Sequence, residues 1–184
     1  MKRTGAVILG IAAFAAIPAL AHDGGNRFGG NLDGYQEAPS TLSTPGNGRF
    51  DLHIDEDSGE VHWQLSYGQL ESAVQQAHIH LGARAIAGGI SVFLCTNIGN
   101  APPAPAQPTQ ACPQPTPAEP VVTISGTFTA ADVIGPAGQG IAPGEFDELL
   151  RAIRAGATYA NVHTTGRPSG EIRAQLRRGH SKGN

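Results

Sequence analysis

The sequence has no surplus of positive charge: 12 Lys and Arg stand against 15 Asp and Glu, a formal charge of −3. Nucleic-acid binding needs a basic stripe as its electrostatic footprint, so no nucleic-acid partner is expected. Beyond Leu20 there is no apolar run long enough to cross a bilayer, which takes about 20 residues. Familiar catalytic signatures are missing too. There is no Gly-x-Ser-x-Gly and no Gly-rich phosphate loop ahead of a helix, and paired carboxylates occur only in an acidic turn and on a surface helix, where solvation explains them. No internal repeat is present. Charged residues make up only 15%, and cysteine is limited to Cys95 and Cys112. Glycine (25) and proline (14) are plentiful, the composition of many short strands joined by turns.

The ends divide the chain. Lys2 and Arg3 precede an apolar run from Val7 to Leu20, and Ala19-Leu20-Ala21 is a small-x-small cleavage pattern. Residues 1–21 therefore read as a signal peptide cut after Ala21, which places the mature protein in the periplasm or the extracellular medium, free of the membrane. A cut there removes Lys2 and Arg3 and leaves 10 basic residues against 15 acidic ones. Residues 22–30 read as a flexible leader, 31–178 as one domain with its own core, and 179–184 as a tail. Arg173, Arg177, Arg178 and Lys182 read as a solvated basic end. In an oxidising compartment the preferred state of Cys95 and Cys112 is a disulfide, worth about 3 kcal/mol by loop entropy. Two free thiols are the alternative.

Alternation predicts the strands. Phe50, Leu52 and Ile54 share one face of 49–54, and Val61, Trp63, Leu65 and Tyr67 share one face of 60–67. With the turn at 55–59 these form a hairpin. Further strands are expected at 76–81, 90–94, 121–128, 158–164 and 171–177. The segment 98–120 carries eight prolines. It cannot form a helix or central strand and reads as an exposed polyproline-like insertion, held at its base by the cysteines. Phe146, Leu149, Leu150 and Ile153 recur at helical spacing within 144–156, after Pro143 and before Gly156, and predict one amphipathic helix. The fold class expected is all-β: an antiparallel β-sandwich or flattened barrel with that helix in a late connection.

Three stretches in order resemble the CHRD domain family. They are Leu32-Asp33-Gly34-Tyr35-Gln36-Glu37-Ala38-Pro39, then Ala77-His78-Ile79-His80-Leu81-Gly82, then Leu149 through Tyr159-Ala160-Asn161-Val162-His163-Thr164 to Pro168-Ser169-Gly170-Glu171-Ile172-Arg173-Ala174-Gln175-Leu176. The resemblance implies a β-rich domain similar in layout to the copper-zinc superoxide dismutase sandwich, and no settled reaction. The chain departs from the family pattern in its Pro-rich insertion and in Ala174, where glycine is usual.

His78 and His80 lie two apart on an expected strand, so both rings project from one face about 7 Å apart. His163 shares a face of a second strand with Tyr159 and Asn161. If these strands are neighbours, three imidazoles converge on a metal ion with an open fourth position. Imidazole ligation favours Cu(II), then Zn(II). Asn161 and Glu171 are expected as supporting groups around this site. The other reading is a hydrogen-bonded histidine cluster in a non-catalytic structural or protein-interaction module, with an unidentified protein partner. A cut after Ala21 would also leave His22 as an N-terminal chelate for Cu(II). His53 and His62 read as a surface pair across the hairpin, and no catalytic residue is expected.

Overall fold

The computed structural model describes residues 25–102 and 109–179. The expected signal segment, His22 and the tail from His180 onward lie outside the described residues.

Among the described residues nine strands run β1 (Arg27–Asp33), β2 (Asn47–Asp55), β3 (Glu60–Gly68), β4 (Val74–Leu81), β5 (Ile90–Thr96), β6 (Val121–Phe128), β7 (Thr158–Thr164), β8 (Ile172–Gln175) and β9 (Arg177–Arg178). Every pairing is antiparallel. The order across the sheet is β5-β4-β7-β8-β1-β2-β3-β6, with β9 beside β1. The sheet curls into a nearly closed, all-β barrel. The alternating residues of the β2–β3 hairpin point inward as expected: Phe50, Ile54, Val61, Leu65 and Tyr67 are almost fully buried.

The last four residues of the expected leader are instead the start of a strand. Arg27–Gly30 belong to β1, which pairs with β2 over its whole length. The two glycines that suggested flexibility are there for close packing. A Cβ on Gly29 would sit 2.5 Å from the Phe50 carbonyl oxygen, and one on Gly30 would sit 2.9 Å from that of Gln175. The last expected strand breaks at Leu176. Before the break β8 pairs with β7, and after it β9 pairs with β1.

The Pro-rich segment is only partly the exposed loop its composition suggested. The disulfide between Cys95 and Cys112 is formed, and both half-cystines are buried. Residues 110–114 lie along the seam between the two ends of the sheet. Thr96 N donates to Gln110 O (3.0 Å), Gln110 Nε2 to Ser125 O (3.2 Å), and Tyr67 Oη to Pro113 O (2.7 Å). Gln114 Oε1 accepts from Val74 N at 2.8 Å. These side chains and carbonyls join β5 to β6 where no strand ladder does.

Among the described residues the one α-helix is α1 (Phe146–Arg154), which buries Leu149, Leu150 and Ile153. It ends in a Schellman cap: Gly156 N donates to Ile153 O (3.0 Å) and Ala157 N to Ala152 O (2.9 Å), with Gly156 at φ +68. This cap launches β7 one residue later, which fixes where His163 falls. Replacing Gly156 by Ala forces a left-handed Cβ and should cost about 1–2 kcal/mol, seen as a lower urea midpoint at unchanged slope.

Candidate metal centre

β4 and β7 are neighbours, with His78 opposite Asn161, His80 opposite Tyr159, and Gln76 opposite His163. Opposed residues share a face, and the period of two gives the other face to Ala77, Ile79, Ala160 and Val162, which enter the barrel core. The three histidines therefore stand on the outside of the barrel. That side is not open to solvent. His78 is 0% exposed, His163 5% and His80 7%, and every residue of β7 is buried. The cover comes from residues 34–46 and 82–89, which fold back over these strands. Gln36 reaches the backbone of Gln175, Gly82 N donates to Ala157 O, and Gly88 bonds the Tyr159 hydroxyl.

The rings meet closely. Their centroids lie 5.0 Å (His78–His163), 5.3 Å (His78–His80) and 5.7 Å (His80–His163) apart. One ring nitrogen from each falls within 4.8 Å of the others. The hydrogen bonds fix the tautomers of the neutral rings. His80 Nδ1 faces the Gly88 carbonyl and His163 Nδ1 faces the Pro168 carbonyl, both at 3.0 Å, so each must carry the proton there. His163 Nε2 is then a lone pair, and the His78 Nδ1 3.2 Å away must donate to it. All three Nε2 atoms are thus lone pairs. Those of His78 and His80 are buried with no hydrogen-bond partner.

The surrounding side chains hold this geometry. His80 stacks on Tyr159 at 4.8 Å between centroids, and Phe93 meets the His78 ring edge-on at 4.3 Å. The guanidinium carbon of Arg173, itself 1% exposed, sits 3.5 Å over the far neighbour in this stack, the Tyr159 ring, while Arg173 Nη2 donates to Ala83 O. Burial lowers the pKa of all three histidines. With the added repulsion of the other two rings His78 falls to about 2, and with that of His163, His80 falls to about 4. Each is a neutral imidazole at pH 7.

The two supporting residues expected from sequence have other partners. Asn161 Nδ2 donates to Glu37 Oε1 (2.7 Å) and to Ile172 O (2.8 Å), not to a histidine. Glu171 makes no hydrogen bond to His163; the Pro168 carbonyl takes that proton. Glu171 instead accepts from Thr44 Oγ1, Glu71 N and Thr164 Oγ1, pinning the covering segment to the sheet. A carboxylate so well supplied with local donors has no need of an imidazole. Sequence reasoning gave no site role to Glu37, Tyr159 or Gly88, and it read Arg173 as part of a solvated basic end, whereas Arg173 is buried against Tyr159. Burial raises the Glu37 carboxyl to about 7, against the opposing pull of the Asn161 hydrogen bond and the Arg173 charge. His53 and His62 do face one another across the hairpin, far from this cluster in sheet order.

Neither the curated proteins nor the solved structures offer a significant match to this chain. The sequence model of the CHRD domain matches residues 28–176, from the first strand through the last turn before β9 and including all three clustered histidines. A match over that much of the chain, on a fold of the expected class, shows that the protein belongs to the CHRD domain family.

Proposed function

We propose that the chain is an exported protein that binds one transition-metal ion, copper in preference to zinc, through His78, His80 and His163. The observation that carries this reading is the pair of buried, partnerless Nε2 atoms on His78 and His80, beside a third imidazole. An unpaired buried polar atom costs about 1–3 kcal/mol, and an ion that accepts both lone pairs removes that cost. His80 and His163 already donate their Nδ1 protons to backbone carbonyls, the arrangement that orients metal-ligating imidazoles. Three neutral imidazoles leave a fourth position for an exchangeable ligand, and the ordering of divalent-metal affinities puts copper above zinc. The disulfide supports the exported setting, since such bonds persist in oxidising compartments.

A second reading rests on the hydrogen bond between His78 and His163: the cluster is purely structural, in a module that meets a protein partner. Ligation through His163 Nε2 uses the lone pair that accepts this proton, so in the metal reading the ion replaces that bond and in the structural reading the bond stays. Calorimetric titration of the tag-free protein with Cu(II) and Zn(II), beside a His78→Ala/His80→Ala variant, separates them. Metal binding predicts one equivalent, tighter for copper, with affinity at least about 100-fold lower in the variant. No binding, or equal binding by both proteins, leaves the structural cluster.

A further inference from the structure

A second feature lies away from the histidines, on the outer face of β9, β1, β2 and β3. A groove of about 740 Å³ runs there, bounded by Arg27, Arg49, Arg177 and Arg178. The register explains its shape. Arg177, Gly29, Asp51 and Gln64 follow one another across the strands, with Ser125 of β6 beyond them. The second place of this row is Gly29, over which Asp51 leans: a Cβ there would sit 2.6 Å from Asp51 Oδ1. The adjacent row carries Arg27, His53 and His62.

The charge in the groove is not balanced locally. Arg49 is spent on Asp51, which it grips through both Nε and Nη2. Arg27 and Arg177 are exposed and have no ion-pair partner among the described residues; Arg178, opposite Phe28 in the register, turns to that residue's face and lies over its ring at 5.7 Å. Two exposed guanidinium groups, those of Arg27 and Arg177, thus border one groove on a chain whose overall charge is negative. Arginine in this setting suits oxyanions that accept two parallel N–H bonds, such as carboxylate and sulfate.

The rest of the lining narrows the ligand. The apolar residues that border the groove, Phe28, Leu52 and Trp63, are 2%, 3% and 6% exposed, so they offer neither an anchor pocket for a peptide nor a stacking platform for a nucleobase. β1, β2 and β3 are each paired on both sides, which removes the free edge that an added peptide strand would need. What remains accessible is a set of hydroxyl-bonding groups, Gln64, Ser125 and His62, between arginines. We infer that this groove binds an anionic oligosaccharide, its sugar hydroxyls bonded along the groove and its carboxylate or sulfate groups held by Arg27 and Arg177.

The test is titration of the full chain with a heparin oligosaccharide, an oligogalacturonide and a neutral cello-oligosaccharide of equal length. Binding of at least one anionic sugar, with affinity falling about tenfold or more in Arg27→Ser/Arg177→Ser, is expected, and the better of the two identifies sulfate or carboxylate. An Arg84→Ser/Arg151→Ser variant makes the same change in net charge on other surfaces and should bind normally. Equal binding of the neutral sugar, no binding of either anion, equal loss in both variants, or binding that disappears only when residues 180–184 are removed would each overturn the assignment. Thermal melting of the variants checks that the exposed substitutions leave the fold intact.

Discussion

Between pH 7 and pH 5 the metal-free protein, held in chelator, should lose roughly 2–4 kcal/mol of stability. His78 and His80 have folded-state pKa values of about 2 and about 4, against an ordinary value of 6.5. Above 6.5 neither state is protonated and the shifts cost nothing. As the pH falls below 6.5 the unfolded chain takes up protons that the buried rings refuse, so stability drops with pH. Each ring contributes about 2 kcal/mol by pH 5, and His163 acts in the same direction. Glu37 has the opposite sign. Its folded value of about 7 lies above its ordinary 4.5, so in this window the folded state holds the extra proton and acidification returns about 2 kcal/mol. The Glu37→Gln variant should therefore lose about 2 kcal/mol more than the parent between pH 7 and pH 5. Urea melts of both proteins across that range give the numbers. A parent curve that is flat, or a Glu37→Gln curve parallel to the parent's, would show that the rings or the carboxyl are not buried as described.

Saturating Cu(II) should raise the melting temperature by about 10 °C. A ligand that binds only the folded state at 1,000 times its Kd adds about 4 kcal/mol, and for a domain of this size each kcal/mol shifts the midpoint by about 2–4 °C. The shift should vanish in the His163→Ala variant, which removes one ligand without touching β4. The same variant deletes the acceptor of the His78 Nδ1 proton, so its metal-free midpoint should fall as well. Purely structural histidines predict the second effect without the first. A copper shift that survives in His163→Ala would move the metal elsewhere on the chain.

How much of this could be read from sequence depends on where the pattern comes from. The β2–β3 hairpin was legible because its inner face meets the core and its outer face meets solvent, so polarity alternates along the chain. The paired spacing of His78 and His80 was legible for the same reason, since a strand repeats every two residues. The burial of their face was not. It is imposed by residues 34–46 and 82–89, which hold down a surface that the strand's own alternation assigns to water. Glu37 lies in a Glu-Ala-Pro loop and Arg173 on what reads as a solvent face, so nothing local marks either as buried. Glu171 was legible as important and misread in role, because its partners Thr44 and Glu71 are distant in sequence. The glycines of β1 misled in the other direction: close backbone approach and flexibility call for the same residue.

The seam between β5 and β6 has a consequence for the protein at high concentration. The unpaired rim of a sheet is where a second chain can add its own strand and begin an aggregate. Here one rim is occupied by a segment rich in proline, which lacks the amide proton such an addition requires, and that segment is held there by a covalent bond. The barrel gives up a full ladder at this place and in exchange hides its stickiest edge.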